Sequence, residues 1–173
     1  MNIGIMCKES NILRVINIVD GTSVDGPGLR TSIYFAGCHH RCPGCHNPST
    51  WDPNGGQIMT IAEILHRIKA NDLDVTFSGG DPLFQVDTLI TLAQLINTLG
   101  KKIWLYTGYT FDEIIKSHKL SPIIPYTEVI VDGPFIETQK DTSLIFKGSA
   151  NQRLIDVKHW LKTGEIKNWE SDF

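Results

Sequence analysis

The sequence predicts an α/β fold whose parallel sheet stays open on one side, an incomplete β/α barrel. Three observations carry the prediction. Short apolar runs ending at glycine recur along the chain, helical patterns lie between them, and 173 residues fall short of the roughly 250 that a closed eight-stranded barrel takes. Strands that alternate with helices call for crossovers, which are right-handed in parallel sheets.

Residues 12–19 read as an additional N-terminal strand, and residues 31–36 as the next, ending at Gly37. The spacing of Ile61, Ile64, Leu65 and Ile68 places four apolar side chains on one helical face. Thr60 and Glu63 supply a capping box, so a helix is predicted over 60–70. Leu73, Val75 and Phe77 alternate as a strand that ends at Gly79 and Gly80. Leu89, Leu92, Ala93 and Ile96 repeat the helical spacing, with Asp87 as the expected cap and Gly100 as the stop. Residues 102–106 form the next strand, Thr110 and Glu113 cap a helix carrying Ile114 and Ile115, and residues 129–131 make a strand ending at Gly133. Residues 158–173 are expected as a peripheral helix and tail. No repeat, low-complexity tract or linker divides the chain, so residues 1–173 are read as one domain.

With 41% hydrophobic and 20% charged residues, the composition is that of an ordinary soluble domain. Sixteen Lys plus Arg against 19 Asp plus Glu leave a net charge of -3, which speaks against a nucleic-acid partner. No apolar run approaches the roughly 20 residues of a membrane span, and residues 1–9 lack the pattern of a signal peptide. A cytoplasmic protein without a membrane partner is expected. In that reducing compartment the four cysteines point to metal, cluster or redox chemistry rather than to disulfides.

Cys38, Cys42 and Cys45 place three thiols in eight residues as C-x3-C-x2-C, directly after a strand. Three thiolates on a tight loop can hold three irons of a [4Fe-4S] cubane and leave the fourth iron open for chemistry. Cys7, far upstream, is not expected as a fourth ligand. Other readings compete on the spacing alone. Zinc could take the three thiols with His39, His40 or His46 as the fourth donor. Cys42-Pro43-Gly44-Cys45-His46 fits the haem attachment pattern, but covalent haem needs an exported chain. A redox dithiol at Cys42 and Cys45 would leave the third thiol idle. Gly79-Gly80-Asp81-Pro82 is good turn chemistry in any α/β protein. Beside a cluster it has a second reading, in which backbone without Cβ approaches a ligand and Asp81 accepts from its amino group.

The ordered set of motifs resembles the radical SAM superfamily and, within it, the glycyl-radical activases of the anaerobic ribonucleoside-triphosphate reductase. The resemblance runs through Asp25-Gly26-Pro27-Gly28-Leu29-Arg30, the cysteine segment, Asn47-Pro48-Ser49-Thr50-Trp51 and Ser78-Gly79-Gly80-Asp81-Pro82-Leu83. It continues through residues 104–109, Val131-Asp132-Gly133 and Lys147-Gly148-Ser149-Ala150-Asn151-Gln152-Arg153. It implies an open parallel β/α barrel of the radical SAM type, with Cys38, Cys42 and Cys45 as ligands of a [4Fe-4S] cluster. S-adenosylmethionine is the implied second cofactor, touched by Gly44, Cys45, His46, Gly79, Gly80 and Asp81. The implied reaction cleaves S-adenosylmethionine reductively to a 5'-deoxyadenosyl radical, which makes a glycyl radical on a partner protein. The implied partners are the large subunit of the anaerobic reductase and a low-potential electron donor such as flavodoxin. Activation of pyruvate formate-lyase or another glycyl-radical enzyme is the enzymatic alternative, and a zinc-bearing binding module the non-enzymatic one.

One departure stands out. Where many radical SAM proteins carry an aromatic residue before the last cysteine, this chain has Gly44, and His46 is the ring that could take its place. Arg30 and Lys147 are read as solvated charges in turns, and Trp104 and Tyr106 as core aromatics.

Overall fold

The structure, a computed structural model, describes residues 11–170; Cys7 and residues 171–173 of the expected tail lie outside them. Seven strands among these residues form one sheet: β1 (Ile12–Thr22), β2 (Arg30–Phe35), β3 (Gln57–Thr60), β4 (Asp74–Gly79), β5 (Ile103–Tyr106), β6 (Val129–Asp132) and β7 (Arg153–Asp156). Their spatial order is β3-β1-β2-β4-β5-β6-β7. Strands β2, β4, β5 and β6 run parallel, whereas β1 is antiparallel to both β2 and β3, and β7 is antiparallel to β6. The sheet is therefore mixed rather than wholly parallel. Residues 23–29, which join β1 to β2, are too few for a crossover, which takes a dozen or more, so the chain turns back on itself.

Helices α1 (Ile61–Asn71), α2 (Val86–Thr98), α3 (Phe111–Lys116) and α4 (Val157–Thr163) pack around this sheet. The two expected capping boxes form. The Glu63 carboxylate accepts from the Thr60 N–H at 2.7 Å, and the Glu113 carboxylate from the Thr110 N–H at 2.7 Å. Helix α2 starts at Val86, and Asp87 lies in its first turn rather than capping it. The cap moves upstream because Asp81 followed by Pro82 starts a 3-10 helix (Pro82–Gln85), with the Asp81 carboxylate accepting from the Leu83 N–H at 2.9 Å. Helix α4 is capped by Asp156 and ends at Gly164. The segment after Gly164 runs exposed along the surface, and from it the half-buried Trp169 packs edge-on against Trp104 with ring centroids 4.9 Å apart.

Alternation along the strands divides the sheet into two unlike faces. One face carries Ile33, Phe35, Val75, Phe77, Ile103, Leu105 and Ile130, and buries them against Ile64, Ile68, Leu89, Leu92, Ile96 and Ile114 of the helices. Each such aliphatic side chain contributes about 1.5–3 kcal/mol by leaving water. The other face buries Arg30, Ser32 and Thr76 on β2 and β4, and Trp104, Val129 and Val131 on β5 and β6, so it is polar on one side and apolar on the other.

Candidate functional site

The carboxyl ends of the four parallel strands surround a cavity of about 460 Å³. Cys38, Cys42 and Cys45 all line it, together with His40, His46, Ser78, Gly79, Gly80 and Tyr106. The cysteine loop leaves β2 at Gly37, whose φ of +95° and contact with the Phe84 ring leave no room for a Cβ. Gly37 is pinned on both sides. Its N–H donates to the Thr50 carbonyl at 2.8 Å, and its carbonyl accepts from the Asp81 N–H at 2.8 Å.

All three thiols are half-buried and free. Burial pushes the Cys38 thiol up; the nearby backbone of His40 and Arg41 opposes the rise, and the charges of Asp81 and Cys42 add to it. The Asn47 N–H lies 3.4 Å from the Cys45 sulfur. A backbone donor aimed at sulfur suits a cluster ligand, because it stabilises the charge that a thiolate retains on iron. Among the described residues, no three His, Cys, Asp or Glu side chains gather around one point for a single ion. Zinc needs its donors within about 2.3 Å of one centre, whereas each cysteine of a cubane takes a different iron.

Gly79 and Gly80 line the cavity, yet the space a Cβ would need is taken by the protein's own backbone. At Gly79 it would lie 2.3 Å from the Phe35 nitrogen, and at Gly80 2.5 Å from the Gly37 carbonyl oxygen. The pair thus lets β4 and the cysteine loop approach each other while its other side faces the cavity.

Asp81 departs from the sequence reading. Its carboxylate is 2% exposed and is already engaged by protein donors, so no lone pair is left facing the cavity for a ligand amino group. One oxygen accepts from the Leu83 N–H, the other from the Gly108 N–H at 3.0 Å and the His40 Nε2 at 2.8 Å, and the Thr107 hydroxyl bonds to both. That carboxylate lifts the His40 pKa above its ordinary value, against the effect of burial. Gly44 does not line the cavity either. Its φ of +70° makes the turn between Cys42 and Cys45, and Glu137 occupies the space beside it. His46 does line it, with its ring 4.9 Å from that of Phe135.

Other residues sit differently from their sequence reading. Arg30 is not solvated: it is 1% exposed, donating to the Thr76 hydroxyl and the Val75 carbonyl at 2.8 Å each, with its guanidinium 5.6 Å from the Trp104 ring centre. Lys147 and Tyr106 line the cavity, whereas Trp104 is fully buried as expected. The segment 147–153 builds a strap over the cavity. Gln152 accepts from the Gly148 N–H at 2.8 Å and donates to the Gly133 carbonyl at 3.0 Å, and Asn151 donates to the Pro134 carbonyl at 2.8 Å. Arg153 anchors its base on the buried Asp132, with the closest contact at 2.5 Å. Tyr34, bonded to Asp25, also belongs to the site and was not singled out by motif, and Thr107 joins it from within the 104–109 stretch.

A strand-end cavity walled by three closely spaced thiols is the site of an iron–sulfur protein. Consistent with that class, residues 24–155 match the family described as a 4Fe-4S single cluster domain. The chain is also 40% identical over 139 residues to the anaerobic ribonucleoside-triphosphate reductase-activating protein of Escherichia coli K12, covering 75% of this chain and 89% of that one. It is 34% identical over 158 residues to the protein of the same name from Enterobacteria phage T4, covering 86% and 93%. This chain belongs to the family of anaerobic ribonucleoside-triphosphate reductase-activating proteins. In fold it is similar to QueE from Escherichia coli, with a TM-score of 0.52 over 70% of each chain at 15% identity.

Proposed function

We propose that this chain is a cytoplasmic radical SAM enzyme that activates an anaerobic ribonucleoside-triphosphate reductase by generating a glycyl radical on it. The observation that carries this reading is the convergence of three thiols and the Ser78-Gly79-Gly80 backbone on one cavity at the strand ends. On this reading the chain works as a single domain, an incomplete barrel open on one side, with the reductase large subunit as its partner. A low-potential donor such as flavodoxin supplies the electron.

Cys38, Cys42 and Cys45 would hold the [4Fe-4S] cluster, and their residue types fit it: all three are free, half-buried and face the same cavity. When bound, the cluster would supply the one electron that reductive cleavage of S-adenosylmethionine takes. The chain's own groups position and enclose. The backbone of Gly79 and Gly80 offers a close approach to the methionine end, and the His46 ring, propped by Phe135, stands beside the last cysteine. The strap carrying Lys147, with Phe146 just before it, narrows the access of water.

The test is an anaerobic mixture of the reduced, iron-loaded protein with S-adenosylmethionine and the reductase. A glycine-centred doublet in the electron paramagnetic resonance spectrum, collapsing when the reductase carries α-deuterated glycine, is expected. S-adenosylmethionine cleavage without any such radical would overturn the proposed substrate.

A further inference from the structure

We propose that Asp81 and His40 form a clamp that holds the cysteine loop in its cluster-binding shape, so that the aspartate of Gly79-Gly80-Asp81 serves the metal loop rather than the S-adenosylmethionine amino group. The inference rests on the reading that Cys38, Cys42 and Cys45 hold the cluster.

His40 sits between the first two cysteines, on a loop with little regular hydrogen bonding of its own. The Cys45 N–H bonds to the Cys42 carbonyl at 3.1 Å and the Asn47 N–H to the Cys45 sulfur at 3.4 Å, and the loop is tied down at its start, where the Cys38 N–H meets the Trp51 carbonyl at 3.3 Å. From the middle of the loop, His40 Nε2 reaches the buried Asp81 carboxylate at 2.8 Å. Asp81 is itself fixed by the Leu83 and Gly108 N–H groups and the Thr107 hydroxyl. The histidine ring is held sideways as well. Tyr109 meets it edge-on with centroids 4.6 Å apart, and a Cβ on Gly108 would fall 2.4 Å from its Cδ2. Gly108 does not need positive φ, so its lack of a side chain answers to the space that His40 fills. Arg41, the next residue, takes a left-handed φ of 45°, a conformation that persists in a non-glycine residue only when its surroundings enforce it. Three segments separate in sequence thus meet at one ring: the cysteine loop, the start of the 3-10 helix after β4, and the loop after β5.

Iron leaves a cubane when its loop opens, and the clamp resists opening by one charge-assisted hydrogen bond within a packed niche. Losing it should speed iron loss by about ten- to hundred-fold. The experiment loads the full chain with iron and sulfide without oxygen, then follows transfer of iron to a ferrous chelator by absorbance. His40→Ala, Asp81→Asn and the double variant should each lose iron about ten- to hundred-fold faster than the parent, with the double no worse than the singles. His40→Gln, which can place an amide N–H near the Nε2 position, should restore retention. Gly108→Ala should mimic His40→Ala and have no further effect when combined with it. The S-adenosylmethionine dissociation constant, measured on the fraction with intact cluster, should stay unchanged in His40→Ala and Asp81→Asn.

Parental iron retention in His40→Ala overturns the clamp, and so does an Asp81→Asn protein that keeps its iron but binds S-adenosylmethionine more weakly. If Asp81→Asn fails to fold, the His40 and Gly108 variants decide, because they leave the other bonds of Asp81 in place. A parent chain that takes up no iron overturns the cluster reading and the clamp with it, an outcome distinct from the other two.

Discussion

Replacing Gly79 by Ala tests whether the glycine pair is there for the sheet or only for a ligand. Gly79 has φ +111°, and the added methyl would sit 2.3 Å from the Phe35 nitrogen and 2.5 Å from its carbonyl oxygen. Both atoms belong to β2, which pairs with β4 along its whole length, so neither can move without breaking the ladder. Backbone strain costs roughly 1–3 kcal/mol and overpacking against fixed atoms roughly 1–3 kcal/mol more, about 4 kcal/mol in sum. Gly100→Ala is the control, because Gly100 also has positive φ, +73°, but no atom lies within 4 Å of its added methyl. It should cost about 1 kcal/mol. At roughly 2–4 °C per kcal/mol for a chain of this size, the melting temperature of the metal-free protein should fall by about 8–16 °C for Gly79→Ala and about 2–4 °C for Gly100→Ala. Circular dichroism melts and urea titrations measure both. Equal small shifts in the two variants, with loss confined to S-adenosylmethionine binding, would refute the packing argument and return Gly79 to a purely ligand-facing role.

Replacing any one of Cys38, Cys42 or Cys45 by Ala should abolish stable cluster uptake and S-adenosylmethionine cleavage, as read by iron analysis and product chromatography; wild-type cleavage in Cys42→Ala would refute the ligand set. Arg30→Met should destabilise the fold by about 3 kcal/mol in urea titration, since it strips donors from the Thr76 hydroxyl and Val75 carbonyl inside the sheet. Thr110→Ala should cost about 1 kcal/mol through loss of the α3 cap while leaving iron content unchanged. The Glu113 pKa is held below the ordinary range, chiefly by the Thr110 backbone N–H. Its contribution is therefore present above the unfolded carboxylate pKa and disappears as pH falls through the folded one, and Thr110→Ala, which removes the hydroxyl donor but keeps the backbone N–H, should lessen the acid-side slope without abolishing it.

Features written in neighbouring residues were legible. Thr60 with Glu63 and Thr110 with Glu113 carry both partners of their hydrogen bonds within four residues, and both boxes form where the sequence puts them. The three cysteines and the glycine pair fall at strand ends because apolar runs stop there. Long-range pairing was not legible. The partners of Asp81 lie 41 residues away at His40 and 26 away at Thr107, and nothing local distinguishes a histidine that meets a buried carboxylate from one facing solvent. Arg30 reads as a surface charge until Val75 of β4 and Lys102, just before β5, supply acceptors from 45 and 72 residues downstream. Strands β3 and β7 are four residues each; β3 is mostly exposed and shows no alternation, so only the neighbouring strand defines it.

The reversed strands on either side of the parallel row set the width of the working edge. A further β/α unit can extend a parallel row only beside a strand running the same way, and here the row β2-β4-β5-β6 is bounded by β1 on one side and β7 on the other, each running against the strand it pairs with. The row of strand ends facing the cavity is thereby fixed at four. Any wall beyond that row has to be built from connecting segments, as residues 133–152 do on one side, or borrowed from another polypeptide.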